Sequence, residues 1–318
     1  MVAAGGAVGF VFPGQGSQYV GMGQAWAESF PAARDAFAEA DSILGMALTE
    51  LCWQGPEEEL QLTANTQPAI LATSVAIQRV VTEHDLAPLV VAGHSLGEYS
   101  ALVTSGCLSF ADALRLVRRR GELMQEAVPV GIGAMAAIMG LEAEAVAAIA
   151  AEAKEDQVCD VANYNAPNQT VVAGHLQAVE RAVETAEARG AMRAVMLPVS
   201  APFHSALMRP ARDGLEPELK AASFAAPQML VVTNIDAEPV TTGEAAREAL
   251  VRQIDGPVRW VESIRWMVDK GGVGTFLEVG PRAVLSGLIR RITPGVVAKS
   301  FSEPKGLEKY LDGSGAGN

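Results

Sequence analysis

Gly93-His-Ser-Leu-Gly97 sets one serine between two glycines, after the apolar run Leu89-Val-Val-Ala92 and before a helical pattern. A nucleophile carried on a sharp strand-to-helix turn needs that spacing, because side chains at the flanking positions would collide. The helix that starts there leaves backbone N–H groups free for a developing oxyanion. Ser95 is therefore the candidate nucleophile of covalent acyl chemistry. A serine hydroxyl needs a base, and the chain has four histidines. His94 adjoins Ser95 and points away from it on such a turn. His84 falls at the end of a helical stretch beside an acidic residue, and His175 opens a surface helix. His204, in SAPFHSALMRP (200–210), lies on a loop between a strand and a helix, at the edge of an α/β sheet where sites form. His204 is the expected base. Serine and histidine in this setting serve hydrolases and transferases alike, and these residues leave both open.

The elements that must hold these groups are legible as punctuation and period. AVGFVF (7–12) is a short buried strand ended by Pro13-Gly14, and LVVA (89–92) is a central strand between Pro88 and Gly93. Helices are expected over 32–44, over 67–84 where the polar residues and proline of 63–68 favour a start, from Ser95 through Leu102, and over 110–126. The middle of the chain alternates differently. GAMAAIM (133–139), a helix over 142–154, strands at 158–164 and 170–174, a helix over 176–190 and a strand over 192–199 give the order βαββαβ. A helix near 205–222, the strand MLVVTNI (229–235), helices over 244–254 and 261–270, the strand GTFLEV (274–279) and a last helix from Gly280-Pro281 to Arg291 complete the chain. Strands alternating with helices imply a mostly parallel sheet covered on both faces. The expected organisation is a large α/β domain made of 1–129 and 199–311, a ferredoxin-like subdomain at 130–198, and a disordered tail at 312–318.

Composition narrows the classes of function. A formal net charge of −13 argues against bulk attraction to nucleic acid or an anionic membrane. An acidic partner would need a local basic patch, such as Arg115, Arg118, Arg119 and Arg120, or Arg290 and Arg291. The first residues carry no positive charge ahead of their apolar part and do not read as a secretory signal. The longest uncharged apolar run, 127–141, is too short to span a bilayer, so a cytoplasmic protein is expected. Cys52, Cys107 and Cys159 lie far apart and form neither a disulfide framework nor a metal site. FPGQGSQ (12–18) lacks the G-K-[ST] of a nucleotide loop.

Seven blocks in order, FPGQGSQ (12–18), GHSLGEYSAL (93–102), RRRGELMQEA (118–127), NYNAPNQTVVAG (163–174), SAPFHSALM (200–208), QIDGPVRW (253–260) and FLEVGP (276–281), resemble the malonyl-CoA:acyl carrier protein transacylase family. That family includes free-standing acyltransferases of fatty-acid and polyketide synthesis. The resemblance implies a hydrolase-like α/β domain with a ferredoxin-like insertion and a ping-pong transfer of malonyl from malonyl-CoA to a carrier phosphopantetheine. Ser95 would hold the acyl group and His204 would act as base, oriented by the backbone carbonyl of Gln253. Leu96 and Gln15 would form the oxyanion hole with their N–H groups. Arg120 would grip the malonyl carboxylate through its planar guanidinium. Phe203 would restrict an α-methyl branch, and Asn163 would contact substrate from the insertion side. The family implies no metal and no organic cofactor, and an acidic carrier protein as partner; a monomer is the default expectation, with the oligomeric state left open by the sequence. A serine thioesterase, or transfer of another acyl unit in a polyketide pathway, is the competing reading.

Overall fold

The computed structural model describes residues 6–199 and 201–313. Residues 314–318 of the expected tail lie outside them. Among the described residues ten strands run in chain order: β1 (Ala7–Phe12), β2 (Val90–Gly93), β3 (Gly133–Met139), β4 (Cys159–Ala166), β5 (Gln169–His175), β6 (Arg193–Met196), β7 (Leu230–Val232), β8 (Pro239–Val240), β9 (Val273–Glu278) and β10 (Val297–Ser300). Six of them form one sheet in the order β10-β9-β1-β2-β7-β8, parallel except where β8 pairs antiparallel with β7. The other four form an antiparallel sheet in the order β4-β5-β3-β6. With helices at Ala143–Ala153 and Leu176–Ala188 between its strands, this is the expected βαββαβ unit.

The parallel sheet is buried on both faces, which its apolar runs require. Phe10, Phe12 and Val91 enter one core cluster, and Val11, Val90 and Ala92 enter the other. Each fully buried phenylalanine contributes roughly 1.5–3 kcal/mol over an exposed one, so the strands next to the nucleophile are among the most firmly seated. β4 of the antiparallel sheet is tied to the segment that precedes the helix Trp260–Asp269. Val258 N–H donates to Ala162 O at 2.8 Å, and Tyr164 N–H donates to Val258 O at 2.9 Å.

Several elements differ from the sequence reading, each for a local reason. The long helix begins at Thr63 rather than at Gln67. Proline inside it leaves Ala64 O without its helical donor, and Arg118 Nη1 supplies one at 3.1 Å. The strand expected over 229–235 stops at Val232, because the backbone of Asn234 turns to bond Glu98 instead of the sheet. The helix expected from 205 begins with a 3-10 turn, Ala206–Met208, and becomes α-helical at Arg209–Ala221. Beyond the helix Val284–Ile292 lie β10 and the helix Pro304–Leu311, neither of which the reading anticipated. Glu278, at the end of β9, is fully buried and accepts hydrogen bonds from Leu285 N, Ser286 N and Ser286 Oγ. It caps the start of that helix, where a carboxyl is favoured.

Candidate active site

The nucleophile stands where β2 gives way to the helix Gly97–Thr104. Ser95 has φ +51°, in the left-handed region, a conformation that costs on the order of 1–3 kcal/mol for a side-chain-bearing residue. The turn is held open by its glycine. A Cβ built on Gly93 would lie 1.8 Å from the carbonyl carbon of Gly97, so no larger residue fits. Asn234 braces the same turn with both ends of its amide. Its Oδ1 accepts from Ser95 N–H at 2.6 Å and its Nδ2 donates to Gly93 O at 2.6 Å.

His204 reaches the serine from the segment ahead of the Ala206–Met208 turn. Its Nε2 lies 2.8 Å from Ser95 Oγ. Its Nδ1 lies 2.9 Å from Gln253 O and 3.1 Å from Gly256 O. Two carbonyls can only accept, so Nδ1 carries the proton and Nε2 presents a lone pair to the serine hydroxyl. His204 has φ +60°, a second strained backbone aimed at the same point. Burial, and next the positive charge of Arg120, lower its pKa from the ordinary 6.5 to about 3. The imidazole therefore stays neutral far below the range in which histidine usually charges. Acylation of Ser95 is expected to hold within about twofold between pH 7 and pH 5, where loss of an ordinary histidine base would cost roughly thirty-fold. Single-turnover acylation across that range checks it, and a half-fall near pH 6.5 would contradict it. The stability sign is also set: unfolded His204 binds a proton below 6.5 and folded His204 does not until about 3. Stability from this group therefore falls as the pH drops through that window.

Arg120 lies on the apolar side of the helix Phe110–Glu126 and is 2% exposed. Its Nη1 donates to Gln67 Oε1 at 2.8 Å, and its Nη2 donates to Gln253 Oε1 at 3.0 Å and to Ser95 Oγ at 3.1 Å. All three acceptors are neutral. Its Nε has no partner, and among the described residues Arg120 makes no ion pair. A buried cation with no carboxylate in contact is costly; the Glu98 carboxyl acts on it only through space, and an anion placed beside Ser95 would relieve it. The neighbouring arginines behave differently. Arg118 and Arg119 pair with Glu122, Arg119 also with Glu218, and Arg115 pairs with Asp112. Arg290 donates to Ala298 O and Arg291 to Gln169 Oε1.

The other expected site residues fall as follows. Leu96 is buried and sits at the helix start directly after the nucleophile. Its backbone N–H and that of Gln15 donate to no other group among the described residues. The Gln15 loop is close against the turn, since a Cβ on Gly14 would come within 2.4 Å of His94 O. The Gln15 side chain is tied to Thr63, with Nε2 2.9 Å from Oγ1. Phe203 is buried in the main core cluster beside His204. Asn163 is buried on an irregular stretch of β4 bridged to Val258. The rejected histidines are turned elsewhere: His94 Nε2 to Asn165 Oδ1 at 2.8 Å, His84 Nδ1 to Val80 O, and His175 Nδ1 to Val158 N–H. Three residues that the sequence reading passed over join the constellation: Gln67, Glu98 and Asn234. Glu98 had a visible signal, a carboxylate inside the otherwise apolar and small-residue run SLGEYSAL.

Among the described residues no cluster of three or more His, Cys, Asp or Glu side chains could hold a metal ion, and no helix is long and apolar enough to cross a membrane. The three cysteines are buried free thiols.

Residues 9–295 match the family described as acyl transferase domain. The chain is 51% identical over 304 residues to the malonyl CoA-acyl carrier protein transacylase of Escherichia coli K12, covering 95% of this chain and 98% of that protein. It is 45% identical to the protein of the same name from Bacillus subtilis 168, covering 95% of each. Among solved structures, it resembles an acyl carrier protein S-malonyltransferase from Vibrio cholerae with a TM-score of 0.93, 46% identity and coverage of 96% and 99%. It also resembles a malonyl-transacylase solved in complex with a type II PKS acyl-carrier protein, with a TM-score of 0.94, 48% identity and coverage of 96% and 99%.

Proposed function

This chain belongs to the acyl transferase domain family, among the malonyl CoA-acyl carrier protein transacylases, and from that premise we propose that it moves malonyl from malonyl-CoA to the phosphopantetheine thiol of an acyl carrier protein. The observation that carries the choice of acyl group is Arg120, a buried guanidinium 3.1 Å from Ser95 Oγ with only neutral partners.

The steps follow from the geometry. Ser95 Oγ attacks the thioester carbonyl while its proton passes to His204 Nε2, and the N–H groups of Leu96 and Gln15 receive the oxyanion. The C–S bond breaks, and the departing thiolate of coenzyme A takes the proton from His204. The malonyl ester is left on Ser95. Three bonds separate Oγ from the carboxylate carbon, so the acyl chain can fold back onto Arg120. The carrier thiol then loses its proton to Nε2 and attacks the ester, and Ser95 Oγ recovers the proton as it leaves. The carbonyls of Gln253 and Gly256 stabilise the transient imidazolium without the carboxylate of a hydrolase triad. A thioester needs less activation than an amide, which suits that weaker arrangement.

The reading supplies each step from this chain's own residues and asks for no organic cofactor. It places the reaction in the cytoplasm, with the enzyme as a monomer. It treats 1–129 and 199–311 as the catalytic domain and 130–198 as an insertion that brings Asn163 to the substrate. Phe203 restricts the space for an α-branch. Intact mass spectrometry with malonyl-, methylmalonyl- and acetyl-CoA, followed by carrier protein, tests the proposal. A malonyl adduct that passes to carrier faster than to water is expected. Rapid release of free malonate with no carrier loading would make the protein a hydrolase instead.

A further inference from the structure

Glu98 is a fully buried carboxyl that none of these steps uses. It follows the nucleophile by three residues, in the first turn of the helix Gly97–Thr104. Its Oε2 accepts two hydrogen bonds from two separate segments, one from Asn234 N–H at 2.9 Å and one from Gln253 Nε2 at 2.9 Å. Both donors have a second hold on the site. The Asn234 amide clasps Ser95 N–H and Gly93 O. Gln253 turns its side-chain oxygen to Arg120 and its backbone oxygen to His204.

We infer that Glu98 is a positioning residue for the acyl transfer, one carboxyl oxygen that, together with Ser95 O, sets which way the Gln253 amide faces and anchors the segment carrying Asn234. A glutamine amide has an accepting end and a donating end of nearly equal shape. With Glu98 on one side and Arg120 on the other, only one orientation satisfies both, Nε2 toward the carboxyl and Oε1 toward the guanidinium. Reversal would face two donors at Arg120 and two acceptors at Glu98. Glu98 thus controls the Arg120 guanidinium through Gln253, and the serine turn through Asn234. Ser95 O also accepts from Gln253 Nε2, at 3.0 Å, and favours the same orientation; on Glu98 the contact is made by Oε2. Oε1 has no partner, so either protonation state of the carboxyl fills the role, and the amide of glutamine can fill it too. Burial raises the pKa of Glu98 to about 7, in keeping with a group used as an acceptor rather than as a charge.

The inference rests on the reading of Arg120 as the carboxylate clamp, and its test separates the two. Glu98→Gln, Glu98→Met and Glu98→Asp are compared with the native enzyme for the single-turnover rate of Ser95 acylation by malonyl-CoA and acetyl-CoA, per titrated active site. Glu98→Gln is expected within about threefold of native. Glu98→Met, isosteric but without an acceptor, is expected to lose about thirty-fold with malonyl-CoA, and its malonyl-to-acetyl preference is expected to fall about tenfold. Glu98→Asp keeps the carboxyl but withdraws the oxygen by one methylene, and is expected to fall between them. A purely structural role would lower the number of active sites and leave the preference of the survivors unchanged. Native preference in Glu98→Met, or in Glu98→Asp should the methionine variant not fold, overturns the inference. A loss in Glu98→Gln as large as in Glu98→Met also overturns it. A native enzyme with no preference for malonyl would instead overturn the clamp itself.

Discussion

Ser95→Ala is expected to remove acyl loading, with the single-turnover rate falling by a factor on the order of ten thousand or more, the scale seen when a nucleophile acting with a base is deleted. The expectation follows from the geometry around Oγ. Among the described residues it is the only hydroxyl in contact with His204 Nε2, at 2.8 Å, and it also lies against Arg120 Nη2 at 3.1 Å. Without Oγ the imidazole holds a lone pair with no acidic proton to take. The fold should survive the change. Asn234 grips the Ser95 backbone N–H rather than its side chain, so the turn keeps its brace. Alanine at φ +51° carries backbone strain much like that of serine, and the change in stability should stay within about 1 kcal/mol. Intact mass spectrometry and thermal melting check both halves. A malonyl adduct persisting on a folded Ser95→Ala protein would move the acyl site elsewhere, and loss of folding would show that the hydroxyl has a structural task.

Much of this site was legible because its chemistry is local in sequence. The G-x-S-x-G spacing between an apolar strand and a helix fixes a turn that only glycine tolerates, and the structure bears that out at Gly93. The βαββαβ middle was equally plain from its rhythm, since strand and helix periods alternate cleanly there. Groups defined by contact across the fold were harder. Gln253 was noticed for its backbone oxygen, whereas its side chain spans Arg120 and Glu98. Gln67 looks like an ordinary polar residue near a helix start until Arg120 is found bonded to it. Asn234 sits in a run of β-formers that reads as continued strand, and it leaves the sheet because the nucleophile turn, more than a hundred residues earlier, needs its amide. The short strand β10 and the final helix gave too few residues for a period to show. Their places are set by β9 and by the core they cover.

The same constellation gives the sharpest test of specificity. Arg120→Ala is expected to lower malonyl loading of Ser95 by roughly a hundred- to ten-thousand-fold while changing acetyl loading by less than about tenfold. Two charge-assisted hydrogen bonds to a carboxylate contribute about 1.5–3 kcal/mol each, and acetyl has no carboxylate to lose them. The native arrangement makes this difference large. Burial leaves Arg120 poorly hydrated, and Gln67 and Gln253 hold its guanidinium in place without neutralising it. An incoming carboxylate therefore meets a desolvated, oriented charge rather than one already paired. Alanine leaves the two glutamine oxygens unpaired, at about 1–3 kcal/mol each, but it also removes a costly buried cation, so the folded protein should remain measurable. Arg120→Lys should restore only part of the loading. A single ammonium cannot keep both glutamine oxygens and also present two parallel N–H groups to a carboxylate. Parallel rates with malonyl-CoA and acetyl-CoA decide the matter. Equal losses with both would place Arg120 in the support of Ser95 and His204, and the preference for malonyl would then need another source.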